Sequence, residues 1–186
     1  LELVVHSNWL GRQVERSFLS EFPIHVLSSG IDIELFKPVD IEPDLYRKIK
    51  NKKIILGCAN IWSDRKGLGD FIQLQDLISE DMQILLIGLN DRQLKHLPPG
   101  IIGIKRTEHI KELASWYSLA DVFVNPTYQD NFPTTNIEAL ACGTPVITYN
   151  TGGSPEAIDT DTGFIVEKGD ISGLYEKIKL IINKGK

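Results

Sequence analysis

Residues 121–156 read "DVFVNPTYQDNFPTTNIEALACGTPVITYNTGGSPE". The run "DVFVNP" (121–126) is short and apolar and stops at a polar loop, as a buried strand does. An apolar helical pattern follows near 135–142, and "PVITY" (145–149) reads as a second strand. Strand, helix and strand in such close succession form a βαβ unit, which makes the two strands parallel neighbours in a sheet covered on both faces. Two acids flank the turn into the helix: Asp130 and, eight positions later, Glu138.

The same alternation extends in both directions. "KKIILGCAN" (52–60), "MQILLIGL" (82–89), "GIIGIKR" (100–106) and "GFIVE" (163–167) read as further strands. "GLGDFIQLQDLISE" (67–80) puts Phe71, Leu74 and Leu77 or Ile78 on one helical face. "EHIKELASWYSLA" (108–120) turns Ile110, Leu113, Ala114 and Tyr117 inward, and a last helix falls near 171–183. Residues 52–186 are therefore expected to form a doubly wound parallel α/β sheet. Before it, "LELVVHS" reads as a strand and "NWLGRQVERSFLSEF" as its helix, with no neighbour evident for that strand. The chain reads as a fragment, with an upstream α/β half expected before residue 1.

Composition narrows the function. With 186 residues, 42% of them hydrophobic and 24% charged, the chain is an ordinary globular one. A net charge of −5 argues against a general nucleic-acid binder. No apolar run reaches membrane-spanning length and no signal peptide is visible, so a cytoplasmic protein is expected. Cys58 and Cys142 sit in apolar contexts without a CxxC or a nearby His, as buried thiols do. His6, His25, His96 and His109 are scattered and make no metal pair.

Ligands of open parallel sheets bind outside the carboxyl ends of the strands. Three such junctions carry polar chemistry. In "CANIWSDRKGLGD", Arg65 and Lys66 precede a helix start, where free N–H groups and partial positive charge favour a diphosphate; equally, both cations can point into water. At the second junction, Asp130 and Glu138 suit hydroxyl pairs such as a ribose diol, with the N–H groups of Thr134, Thr135 and Asn136 free for phosphate oxygens. A competing reading makes Thr135–Glu138 a capping box and Asp130 a turn residue. At the third, Gly152 and Gly153 permit close backbone approach, with Ser154 as N-cap and Pro155 at the first helical position. Asp159-Thr160-Asp161 has the outline of a metal-binding DxD, but its place after a helix makes it a polar turn.

Together "DNFPTTNIEALACGTPVITYNTGGSPE" resembles the E-x7-E region of retaining glycosyltransferases of family 4, which have the GT-B fold. Phe132, Glu138, Ala139, Ala141, Gly143, Pro145, Val146, Gly152, Gly153, Pro155 and Glu156 fall in that pattern without a gap. "RKG" (65–67) is similar to the family's cationic element, "YSLADVFVNPT" to its helix–strand lead-in and "SSGIDIELFKP" to its interdomain linker. The resemblance implies a Rossmann-like domain at 52–186, the C-terminal half of a GT-B architecture. It further implies a linker at 31–51 and, at 1–30, the end of an N-terminal acceptor-binding domain. Glu138 would then hold the ribose of a UDP- or GDP-sugar and Asp130 the transferred sugar, while Arg65 and Lys66 would hold the diphosphate. Phe132 to Thr135 would approach the donor, and Lys105, Arg106 and Thr107 would line the base. No metal and no further cofactor are expected. The acceptor, a carbohydrate or lipid-linked one, would meet the absent half, which leaves room for peripheral membrane association.

Three departures from the pattern stand out. The first acid is Asp rather than Glu. Asn131-Phe132-Pro133 replaces Gly-Phe-Gly, so one phosphate-facing N–H is lost at Pro133. The cation loop is longer than the common form, with Cys58 where an Arg is frequent. The rival readings are a nucleotide-sugar epimerase or sugar-phosphate synthase on the same fold, and a non-catalytic α/β module that binds a nucleotide or a partner.

Overall fold

The computed structural model describes residues 1–40, 49 and 52–185. A small unit comes first: β1 (Leu3–Val5), α1 (Asn8–Glu15) and β2 (Ile24–Val26). Then follow β3 (Lys53–Cys58), a 3-10 turn (Asp64–Lys66), α2 (Leu68–Gln75), β4 (Met82–Ile87), α3 (Asp91–His96), β5 (Ile101–Ile104) and α4 (Ile110–Leu119). The chain continues through β6 (Val122–Asn125), α5 (Thr134–Ala141), β7 (Val146–Tyr149), a second 3-10 turn (Ser154–Ala157), β8 (Gly163–Val166) and α6 (Ile171–Lys184).

The six strands β3 to β8 form one parallel sheet in the order β5-β4-β3-β6-β7-β8. The chain builds outward from β3 to β5, crosses back to lay β6 beside β3, then builds outward the other way. The winding therefore reverses between β3 and β6, where the loops leave their carboxyl ends in opposite directions and open a crevice. Both candidate junctions, the cation loop after β3 and the Asp130 loop after β6, lie at that reversal.

Alternation along the strands supplies two cores. Ile55, Ile84, Leu86, Val124, Ile147 and Tyr149 pack with α2 and α6. Ile54, Leu56, Leu85, Ile87, Phe123 and Val146 pack with α4 and α5. Each side chain fully buried this way contributes roughly 1.5–3 kcal/mol. Gln83 is buried within β4, and its amide is satisfied by the carbonyls of Ile84 and Gly100.

Three expectations from the sequence change, and one helix was not expected. Ile110 is 47% exposed rather than inward, because α4 begins there, whereas Leu113, Ala114 and Tyr117 reach the core as expected, joined by Trp116. The helix α3 has no apolar stripe; its six residues rest on a capping box between Asn90 and Gln93. The first strand does have a neighbour, since β1 pairs with β2 in parallel. Ser154 is not an N-cap: a short 3-10 turn begins there, capped by Gly153, and Ser154 is fully buried with its hydroxyl unpartnered among the described residues. The expected linker at 31–51 falls partly on residues 41–48, 50 and 51, which lie outside the described residues.

The small unit is seated on the large one by its helix. Glu156 accepts hydrogen bonds from the N–H groups of Asn8 (2.8 Å) and Trp9 (2.7 Å) and from the Asn8 amide (3.0 Å). A carboxylate thus occupies the N-terminus of α1, where the unpaired N–H groups and the dipole favour it. Ser7, the N-cap of α1, donates to Asn131 Oδ1 at 2.7 Å.

Candidate active site

Lys66 closes the 3-10 turn after β3 and is followed by Gly67, whose φ of 75° lies in the left-handed region. A Cβ on Gly67 would stand 2.2 Å from the carbonyl oxygen of Pro126 at the end of β6. Only glycine lets the cation turn rest against that strand, and the contact brings Lys66 to the Asp130 loop. The Lys66 Nζ lies 2.5 Å from Asp130 Oδ2, with both side chains largely buried. Behind them Gly152 and Gly153 fill a similar office. A Cβ on either would run into the carbonyl oxygens of Asp130 and Asn131 at 1.9 and 1.8 Å, and Gly153 N–H donates to Asp130 O at 3.0 Å. The glycine pair makes room for the Asp130 loop rather than for a ligand.

Glu138 sits in α5, and the capping-box reading does not hold. The cap position falls on Pro133, so Glu138 lies beyond the first turn. Its Oε2 instead accepts from the hydroxyl of Tyr117 on α4 at 3.0 Å. Burial pushes the Glu138 carboxyl above its usual range, while hydrogen bonds from Tyr117 and Thr134 pull it back. Next to it burial pushes the Cys58 thiol up to about 12, with the Glu138 charge adding to that rise, and hydrogen bonding to Tyr117 and the Lys66 charge opposing it. Cys58 therefore lies within the electrostatic reach of both the acid and the cation.

A cavity of about 460 Å3 opens at this point. It is lined by Cys58 to Asn60 after β3, Gly88 after β4, Lys105, Arg106 and Thr107 after β5, and Thr134, Thr135 and Glu138 of α5. Six of the residues singled out in the sequence thus share one wall-to-wall space: Lys105, Arg106, Thr107, Thr134, Thr135 and Glu138. Lys105 also pairs with Asp91 at 2.8 Å on the surface.

Three others are placed differently. Arg65 turns away: its guanidinium donates to Gln129 O at 2.5 Å, and it lines a neighbouring cavity of about 570 Å3 with Asp70, Tyr128 and Lys168. Its Nη1 remains 4.0 Å from Asp130 Oδ2. Asn136 is structural, because its N–H donates to Pro133 O and its buried amide links Asn125 to Ser154 O. Phe132 is half-buried and is not among the side chains lining the Glu138 cavity. Asp159 accepts from the N–H groups of Asp161 and Thr162 and from the Thr162 hydroxyl, so the DxD outline is a polar turn. Among the described residues no group of three His, Cys, Asp or Glu could hold a metal ion. Likewise, no helix among them is long and apolar enough to cross a membrane.

Residues 52–184 match the family described as glycosyl transferases group 1. The chain belongs to this family. It is 32% identical over 170 residues to the capsular polysaccharide biosynthesis glycosyltransferase CapM of Staphylococcus aureus, an alignment that covers 84% of this chain and 44% of CapM. The chain spans about half the length of the curated relatives it matches. Among solved structures, sucrose-phosphate synthase from Thermosynechococcus elongatus superposes with a TM-score of 0.83 at 26% identity, over 97% of this chain and 48% of that one. HepE from Anabaena, solved in complex with UDP-glucose, superposes at 0.81 and 17% identity over 98% of this chain and 54% of its own, a likeness of fold. The doubly wound sheet is thus that of the C-terminal domain of GT-B glycosyltransferases.

Proposed function

We propose that the cavity between β3 and β6 binds a nucleotide-diphosphate sugar, and that this domain is the donor-binding part of an enzyme transferring that sugar with retention of configuration. One observation supports the reading above the rest: Glu138, Thr134, Thr135 and Lys105 to Thr107 line one cavity at the reversal of the sheet, and the loops that leave β3 and β6 there carry the Lys66–Asp130 pair. In this reading Glu138 takes the ribose diol, Lys105 to Thr107 face the base, and Lys66 with the N–H groups of Thr134 and Thr135 takes the diphosphate. The family and the HepE complex with UDP-glucose agree with a nucleotide-sugar donor.

The chemistry follows from charge. As the bond from the sugar to phosphate breaks, negative charge grows on the leaving diphosphate. A fixed cation and helix N–H groups stabilise that charge more than the ground state, and this difference lowers the barrier. Lys66 supplies the positive charge in this reading, without a metal. An arriving diphosphate competes with Asp130 for Lys66 and frees the Asp130 carboxylate for the sugar's hydroxyls. Asp130 then becomes available only when a phosphate has taken its partner. The acceptor is met by residues outside this sheet, on the path to glycan or glycolipid products.

Calorimetric titration with UDP, GDP and the corresponding nucleosides tests this. One diphosphate is expected to bind at least tenfold more tightly than its nucleoside, since charged hydrogen bonds are worth ~1.5–3 kcal/mol. Absence of heat with every nucleotide would favour a non-catalytic module instead.

A further inference from the structure

Tyr117 is fully buried, yet its hydroxyl reaches the wall of the cavity, where it donates to Glu138 Oε2 at 3.0 Å. The ring has little freedom. Phe123 meets it edge-on at 5.4 Å and Phe36 at 6.2 Å, and its backbone carbonyl accepts from the Thr144 hydroxyl at 2.5 Å. Glu138 by contrast is only partly buried and has three side-chain torsions. A carboxylate at the mouth of a cavity would sample several rotamers unless something holds it, and ordering it on binding would weaken binding.

We propose that Tyr117 is a positioning residue for the nucleotide site: it fixes one oxygen of Glu138 and presents the other to the ribose diol. This rests on the ribose role of Glu138 given above. The division of labour fits the donors and acceptors available. A carboxylate has two oxygens and about four acceptor sites, a phenol hydroxyl has one proton to give, and a vicinal diol has two. Burial of Tyr117 keeps bulk water from its ring, which leaves Glu138 and Cys58 as the neighbours of its hydroxyl. Tyr117 also favours the ionised carboxylate, which is acceptor-only and so suits a diol that donates twice. Cys58, whose neutral thiol shares the Tyr117 hydroxyl, brings no competing charge.

The test separates Tyr117 from Glu138 by removing the diol from the ligand. The parent chain, Tyr117→Phe and Glu138→Gln are each titrated with the better-bound nucleoside diphosphate and with its 2′,3′-dideoxy form. The parent is expected to prefer the diol ligand by about ten- to a hundredfold, and Glu138→Gln to abolish that preference. Tyr117→Phe is expected to lower affinity for the diol ligand about three- to tenfold while leaving the dideoxy ligand unchanged. A merely structural role for Tyr117 would weaken both ligands alike. Site-specific 3,5-difluorotyrosine at position 117 keeps the shape and strengthens the donor, so it serves if the Phe variant folds poorly. Its diol preference should differ from the parent's at equal dideoxy affinity. A full, unaltered diol preference in either variant overturns the role of Tyr117. A diol preference that is missing in the parent, or that survives Glu138→Gln, overturns the ribose reading itself.

Discussion

Asp130 and Glu138 stand eight residues apart and are held in opposite ways. Asp130 lies on the loop after β6, its backbone wedged against Gly152 and Gly153 and its carboxylate paired with Lys66. Glu138 rides on a helix, partly buried at the cavity wall, and accepts from a fully buried phenol. Under the proposed function the first arrangement is exchangeable, because a diphosphate would take the lysine from the aspartate. The second is preformed, because the ring of the donating tyrosine is fully buried and packed edge-on against Phe123 and Phe36. In that reading one acid is gated by the ligand and the other waits for it.

The largest test of that contrast is Lys66→Ala. Affinity for nucleoside diphosphate should fall about ten- to a hundredfold, with affinity for the free nucleoside unchanged. Equal losses for both ligands would place the phosphate-binding cation elsewhere. Next in size is Asp130→Asn, which removes the competitor for Lys66. Diphosphate affinity should rise about two- to fivefold while any preference for the nucleotide sugar over the bare diphosphate is lost, in line with the loss of one charged hydrogen bond. A fall in diphosphate affinity would show that the pair is not exchanged. Arg65→Ala should do less, about twofold or below, because an exposed guanidinium turned toward Gln129 gives only screened help. A tenfold loss in the same titration would mean that Arg65 swings into the cavity on binding.

The smallest expected effect concerns stability. Burial raises the folded-state pKa of Glu138 above its value in the unfolded chain, so the fold holds this proton to higher pH. Its favourable share is present at low pH and is lost as pH rises through the folded pKa. At neutral pH the parent carries the cost of an ionised, partly desolvated carboxylate, and Glu138→Gln does not. The variant should melt ~1–3 °C above the parent at pH 7, with the margin shrinking as pH falls through the raised pKa. Thermal scans across pH read this out. A variant that melts lower at pH 7 would mean that the Tyr117 bond outweighs desolvation.

What the sequence disclosed follows from which forces are local. The parallel sheet was legible because strands buried on both faces are continuous apolar runs, and β4 and β7 are buried at every residue. The helix α3 was missed because "DRQLKH" has no apolar stripe, although Asn90 and Gln93 already spelled its cap. The reverse error occurred at Thr135–Glu138, where a capping pattern was present but tertiary contact with Tyr117 claimed the glutamate. Nothing local marks Gly152 and Gly153 as the bed of the Asp130 loop, or Glu156 as the anchor of α1, since both partners are distant in sequence. The cation pair was the subtlest case. Arg65 and Lys66 are adjacent, yet Arg65 lines the cavity beside Tyr128 while Lys66 is taken up by Asp130.

A crystal soaked with the better-bound nucleoside diphosphate examines the whole arrangement in one measurement. The expected map shows ribose hydroxyls on Glu138, the diphosphate within hydrogen-bond distance of Lys66 Nζ and the Thr134 and Thr135 N–H groups, and Asp130 released from Lys66. Nucleotide seated instead beside Arg65 and Tyr128, with the Lys66–Asp130 pair intact, would contradict it.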